Sequence, residues 1–153
     1  MLDVNQQAYE FNLPNQDNKE ISLSSLKTKK IVLYFYPKDN TPGCTKQAIG
    51  FSELKKEFDQ LNTVIIGISQ DSVESHNKFK KQHDLQIELL SDKEKDAIKA
   101  FGAWQEKVNF GKKYMGIVRC TFVIDENGKI LKRWKSVKVA DHATKVLDFL
   151  KKG

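Results

Sequence analysis

The sequence predicts an α/β fold with a central mixed sheet flanked by helices, and three observations carry that prediction. The runs Ile31-Val32-Leu33-Tyr34-Phe35 and Thr63-Val64-Ile65-Ile66-Gly67-Ile68-Ser69 are too continuously apolar to have a wet face, so they read as interior strands. Between them, Phe51, Leu54, Phe58 and Leu61 recur at spacings of three and four, which marks one face of a helix. Further on, Phe122-Val123-Ile124 and residues 130–134 bracket Asp125-Glu126-Asn127-Gly128, whose Asn-Gly pair supplies the positive-φ positions of a hairpin turn.

The remaining elements fall into place in chain order. Residues 9–23 form a small N-terminal hairpin: Phe11 and Leu13 alternate with polar residues, Pro14-Asn15-Gln16-Asp17-Asn18 turns the chain, and Ile21 and Leu23 alternate again. Residues 31–36 are the first interior strand and belong in the middle of the sheet. After the strand at 63–69, Asp71 and Ser72 are candidate caps for a helix containing Val73 and Phe79. A weaker strand at 87–90 leads to a short helix near 97–101. Residues 102–116 show little periodicity and concentrate Trp104, Phe110, Tyr114 and Met115, which predicts a packed loop. Residues 139–150 close the chain as an amphipathic helix with Ala143, Val146, Leu147 and Leu150 on one stripe. The order is β-hairpin, β-α-β-α-β-α, hairpin, helix, and it describes a thioredoxin-like fold with insertions. With no linker, repeat or low-complexity segment, a single domain over residues 1–153 is expected.

Composition narrows the function classes. The chain has 153 residues, long enough for a sizeable core, and no apolar run approaches a membrane span or a signal pattern, so a cytoplasmic location with no membrane partner is expected. Two cysteines are too few for a disulfide framework, which turns attention to their reactivity. The net charge of +6 comes almost wholly from scattered lysines, with only Arg119 and Arg133 besides. That pattern reads as a solvated surface, and no nucleic-acid partner is expected.

The chemistry concentrates in Tyr36-Pro37-Lys38-Asp39-Asn40-Thr41-Pro42-Gly43-Cys44-Thr45. An interior strand stops at a proline, crosses a turn-rich loop and delivers Cys44 to a helix start, where backbone N–H groups favour the thiolate, the reactive form of the thiol. A lone cysteine is commonly a packing residue. Here its joint spacing with Pro37 and Thr41 ahead of a helix outweighs that reading. The position three before Cys44 is Thr41 and the position three after is Gln47, so no local dithiol exists. A hydroxyl beside a thiolate suits a small polar oxidant better than disulfide exchange.

Pro37-x-x-x-Thr41-x-x-Cys44 resembles the P-x-x-x-[TS]-x-x-C signature of peroxiredoxins, and the longer string YFYPKDNTPGCTKQA is similar to the bacterioferritin-comigratory-protein (PrxQ) subgroup. The resemblance extends over nearly the whole chain, through Trp104-Gln105-Glu106-Lys107, Gly111-Lys112-Lys113-Tyr114-Met115-Gly116-Ile117-Val118-Arg119 and Thr121-Phe122-Val123-Ile124-Asp125. Ala8-Tyr9-Glu10-Phe11 stands at the family's A-P-D-F entry and departs from it at Tyr9 and Glu10. The resemblance implies a thiol-dependent peroxidase for hydrogen peroxide and organic hydroperoxides that uses no cofactor. Cys44 would attack the peroxide as thiolate and become a sulfenic acid. Arg119 would favour the thiolate and stabilise developing charge. Thr41 and the Cys44 N–H would align the peroxide, Pro37 would shield the sulfur, and Gln47 would support the arginine.

The sequence departs from the subgroup where the sulfenic acid must be reset. The position five after Cys44, a common site for a resolving cysteine, is Ile49, and the helix after the second interior strand has no cysteine. Only Cys120 remains. If Arg119 points at Cys44, alternation along a strand points Cys120 to the opposite face, so a packed thiol is expected, with a resolving role as the alternative. The expected enzyme is then a one-cysteine peroxidase reset by an external thiol such as thioredoxin or a small thiol, and a monomer. His76, His83 and His142 have no partner at ligand spacing, so no metal is expected, and His76 and His83 read as a solvated pair on one helix face. Two other classes compete. A redox sensor would consume about one equivalent of peroxide and stop. A basic nucleic-acid-binding module would lose duplex affinity steeply with salt.

Overall fold

The apolar pattern resolves into nine strands and five helices in the computed structural model, which describes residues 1–153. Strands β1 (Asn12–Pro14) and β2 (Glu20–Ser22) form the N-terminal hairpin, narrower than the expected 9–23. Asn15 holds its turn, because its side-chain oxygen accepts from the Asp17 and Lys19 N–H groups. Next come β3 (Lys30–Phe35), α1 (Pro42–Glu53) and α2 (Lys55–Gln60). The single helix expected through residues 51–61 breaks at Leu54, whose N–H turns back to the Phe51 carbonyl in a tight three-residue closure. No glycine or proline marks that break.

Strand β4 (Thr63–Ser69) has the expected bounds, and α3 (Val73–Gln82) is capped by Ser72, whose hydroxyl accepts from the Ser75 N–H at 3.1 Å. After β5 (Glu88–Ser91) and α4 (Asp96–Phe101), the expected packed loop at 102–116 proves to be an antiparallel ribbon, β6 (Trp104–Asn109) and β7 (Lys112–Ile117). Its two-residue turn places both Phe110 and Gly111 at positive φ, a conformation Phe rarely adopts and sequence does not advertise. Of the four residues that suggested packing, Trp104 packs against the core, whereas Tyr114 and Met115 are exposed and Phe110 at the tip is 98% exposed. Strands β8 (Cys120–Ile124) and β9 (Ile130–Trp134) form the expected hairpin. Of its Asn-Gly pair only Gly128 has positive φ, since the Asp125 carboxylate holds the turn by accepting from the Asn127 and Lys129 N–H groups. Helix α5 (His142–Lys152) ends the chain.

The central sheet has the order β5-β4-β3-β8-β9, with β3 parallel to β4 and antiparallel to β8, so β3 is the middle strand. Its side chains alternate between two cores. Ile31, Leu33 and Phe35 pack with α4, Phe122 and the N-terminal Phe11. Val32, Tyr34 and Tyr36 pack with Cys44, Ala48 and Phe51 of α1, Phe79 of α3 and Val146 of α5. Burial on both faces is why β3 reads as an unbroken apolar run, each such side chain contributing about 1.5–3 kcal/mol. The thioredoxin-type arrangement fixes the site as well. Parallel strands β3 and β4 end at the same edge, and the loops beyond them meet there.

Candidate active site

The loop after β3 is shaped by turn chemistry. Tyr36 still bonds into the sheet through the Ile68 carbonyl at 3.2 Å, and half-buried Pro37 then ends the strand. Asn40 takes a left-handed conformation at φ 61°, Thr41 stands at the N-cap and Pro42 opens α1, where its missing N–H costs nothing. The first helical bond is from the Thr45 N–H to the Thr41 carbonyl, 2.9 Å, so the Gly43 and Cys44 N–H groups are orphan donors of the first turn. Cys44 therefore sits in the positive end of the helix dipole and is only 1% exposed. The Thr41 hydroxyl does not cap the helix. It donates to the Lys38 carbonyl at 2.9 Å, which leaves its lone pairs free to accept.

Arg119 arrives in the short link between β7 and β8. One guanidinium nitrogen, Nη2, donates to Cys44 Sγ at 3.2 Å, and Nη1 donates to the side-chain oxygen of Gln47. Because that oxygen must face the guanidinium, the Gln47 amide nitrogen is turned away, buried and without a partner. Gly43 allows the approach: a Cβ there would lie 3.3 Å from Arg119 Nη2. Behind the sulfur, the Tyr34 phenol stacks on Phe51, and burial first, then the nearby Cys44, pushes its pKa far up, so it stays neutral. A Cβ at Gly67 would fall 2.8 Å from the Tyr34 ring, so that glycine makes room for the phenol.

Cys44, Gln47 and Arg119 thus converge, with Thr41 at the N-cap of the same helix and Pro37 at the loop entrance. Cys120 does not join them. It pairs with Phe35 in the sheet and is buried in the other core, where desolvation pushes its thiol up to about 12. Both cysteines are free thiols. Ile49, at the position five beyond Cys44, packs against the Cys44 core.

The histidines differ from expectation. His76 is fully buried rather than solvated, because the loop behind Cys44 places Asp39 beside it, 2.8 Å from Nδ1. His83 does reach the surface and faces the Asn40 side chain at 3.1 Å. His142 is buried against Thr121 (2.9 Å), Phe51 and Trp134, and burial lowers its pKa to about 4. Asp39, Asp71 and His76 offer donor atoms within 4.8 Å of one another, the one grouping with a metal-like donor set. Hydrogen bonds already account for these atoms: Asp71 accepts from the Asp39 N–H and the Ser69 hydroxyl, and Asp39 from Tyr36, Ser75 and His76. No helix is long and apolar enough to cross a membrane. Sequence reasoning missed the close approach of Gly43 to Arg119 and the burial of Asp39 and His76 behind the loop. Gly43 and Asp39 read as ordinary turn formers, and nothing local to residue 76 announces burial.

Known proteins match this chain in sequence and in fold. The sequence profile of the AhpC/TSA family matches residues 4–133. The chain is 47% identical over 150 residues to peroxiredoxin Bcp of Bacillus subtilis, covering 98% of this chain and 96% of that protein. It is 48% identical over 149 residues to a putative peroxiredoxin bcp of Helicobacter pylori, with 97% and 98% covered. Among solved structures, a cysteine-to-serine mutant of PrxQ from Xylella fastidiosa superposes with a TM-score of 0.94 at 34% identity, covering 99% of this chain and 97% of that one. The Xanthomonas campestris bacterioferritin comigratory protein, in a structure addressing its alkyl peroxide reduction activity, gives a TM-score of 0.89 at 37% identity, with 93% and 90% covered.

Proposed function

This chain belongs to the AhpC/TSA family, in the Bcp/PrxQ subgroup of the peroxiredoxins, and from that membership we propose that residues 1–153 act as one peroxidase domain in which Cys44 reduces hydrogen peroxide and organic hydroperoxides. The observation that carries the reading is the Cys44 sulfur, held at the start of α1 and 3.2 Å from the Arg119 guanidinium.

The Cys44 thiolate attacks one peroxide oxygen in line with the O–O bond. A sulfur–oxygen bond forms, the O–O bond breaks, and the departing oxygen takes a proton to leave as water or an alcohol. Sulfur is oxidised by two electrons, giving the sulfenic acid. Arg119, 3.2 Å from the sulfur, stabilises the negative charge that grows on the departing oxygen, and the orphan N–H groups of the first turn of α1 add to it. The Thr41 lone pairs accept the peroxide hydroxyl and orient it, because the Thr41 proton is already given to Lys38. Pro37 offers no N–H to compete at the loop entrance, and Gln47 anchors the far side of the guanidinium.

Reset uses an external thiol, thioredoxin or a small one, since Cys120 lies in the opposite core. The incoming thiolate attacks the sulfenic sulfur and releases water, and a second thiol reduces the mixed disulfide to return the Cys44 thiol. With Cys44 1% exposed, the first turn of α1 must open for that step. Steady-state peroxide consumption with thioredoxin, glutathione and dithiothreitol side by side tests the cycle. Sustained turnover with at least one of them is expected, and a stop after a single equivalent in all three points to a sensor instead.

A further inference from the structure

Behind the loop that carries Cys44 lies a buried polar cluster that the reaction itself does not use. Asp39, in the middle of that loop, is 6% exposed, and its carboxylate accepts from the Tyr36 hydroxyl at 2.6 Å and from the Ser75 hydroxyl and His76 Nδ1 at 2.8 Å each. The Asp39 N–H bonds the Asp71 carboxylate at 2.8 Å, which the Ser69 hydroxyl holds in turn at 2.6 Å. On the other side of its ring, His76 Nε2 lies 3.0 Å from the Leu90 carbonyl. A carbonyl can only accept, so Nε2 donates to Leu90, while Nδ1 faces the Asp39 carboxyl group. Both ring nitrogens are thereby committed, one to the loop that leads to Cys44 and one to strand β5 in the sheet. Apart from His76, the loop's side-chain bonds to α3 and its C-cap are the Ser75 hydroxyl on Asp39 and the exposed Asn40–His83 contact.

On the strength of the peroxidase reading of Cys44, we propose that Asp39 and His76 form a clasp that holds the loop in the closed, peroxide-reactive geometry, which makes His76 a positioning residue for the reaction. With the clasp shut, Thr41, the first-turn N–H groups and Arg119 converge on a buried sulfur. With it released, the start of α1 drifts. Peroxide reduction, which needs alignment, slows, while attack by a reagent that needs only access to the sulfur speeds up. Opposite signs are the signature. A change in thiolate character moves both rates the same way, and a role confined to stability moves neither rate per folded molecule.

Two substitutions separate the two bonds of His76. In His76→Asn the amide nitrogen can take the place of Nδ1 and keep the Asp39 bond; in His76→Gln it can take the place of Nε2 and keep only the Leu90 bond. The measurements are the second-order rate constant of the reduced protein with hydrogen peroxide, and the alkylation rate of Cys44 by iodoacetamide, read by peptide mapping that resolves it from Cys120. His76→Gln is expected to lower the first about tenfold and raise the second by a similar factor, with His76→Asn within about threefold of the parent in both. Unchanged rates in His76→Gln, or two rates moving in the same direction, overturn the clasp. Should His76→Gln not fold, Tyr36→Phe removes one donor to Asp39 and keeps the ring, and is expected to shift the rates in the same opposite senses by a smaller factor; unchanged rates there overturn it equally. A parent protein whose Cys44 ignores peroxide is a different result, and it removes the peroxidase reading and the clasp with it.

Discussion

Arg119→Met removes the one cation beside the reactive sulfur while keeping a side chain of similar length. At 3.2 Å, a full unit charge facing a thiolate is worth about 5 kcal/mol at an effective dielectric of about 20, appropriate to a half-buried group. Only part of this affects the rate. The guanidinium spreads its charge and already faces the ground-state thiolate, so what counts is the interaction that grows as the O–O bond breaks. Losing one donor aimed at developing charge costs about 2.7–4 kcal/mol, which predicts a rate constant with hydrogen peroxide lower by about 10²–10³. Arg119→Lys should recover only part of the loss, because a single ammonium cannot bridge Cys44 and Gln47 as the planar fork does. Stopped-flow mixing of the reduced variants with hydrogen peroxide, alongside circular dichroism to check folding, measures this. A folded Arg119→Met protein within about threefold of the parent refutes the electrostatic role.

Other positions give independent tests. Gly43→Ala is expected to slow the peroxide reaction several-fold by pressing on Arg119 Nη2, yet leave stability unchanged or raised by up to about 1 kcal/mol, since alanine favours the helix; rate and urea midpoint are read on the same protein. Gly67→Ala drives a Cβ into the buried Tyr34 ring and is expected to cost about 1–3 kcal/mol by urea unfolding. Cys120→Ala should lose stability by about 1–2 kcal/mol but keep the parent rate with peroxide, and mass spectrometry after one equivalent of peroxide should show no Cys44–Cys120 disulfide in the parent. His142 has its pKa depressed from 6.5 to about 4 by burial, then by Lys145 and Arg119, so the unfolded chain takes up its proton before the folded one does. Its contribution to stability is full above pH 6.5 and is lost as pH falls toward 4, on the order of 3 kcal/mol at most. Urea midpoints from pH 7 to 4.5 should fall less steeply in His142→Gln than in the parent.

Where the sequence spoke clearly, one physical signal decided each element. Continuous burial marked β3 and β4, and helical spacing marked the helical stretch from Phe51 to Leu61, though not its break at Leu54. The run from Pro37 to Cys44 combined a strand stop, a turn and a helix start in eight residues. Strand alternation predicted that Arg119 and Cys120 point to opposite sides. In the structure Arg119 lies in the link just before β8 and bonds Cys44, and Cys120, the first residue of β8, is buried in the other core. The failures share a cause: the deciding interaction lies far along the chain or in the backbone. Residues 102–116 looked like a packed loop because their apolar content was read as burial, whereas a positive-φ turn at Phe110-Gly111 makes a ribbon with an exposed tip. His76 looked solvated because Asp39, the partner that justifies its burial, is 37 residues away. Gly43 read as a turn glycine although its requirement is the approach of Arg119, whose hydrogen-bond partner Cys44 lies 75 residues upstream.

The most direct test of the account is peroxide turnover by the parent protein and by Cys44→Ser, assayed together with a regenerating thiol. The geometry predicts sustained consumption by the parent and only the uncatalysed background from Cys44→Ser, with the variant as stable as the parent. Full activity in Cys44→Ser contradicts the assignment of Cys44 as the reacting sulfur.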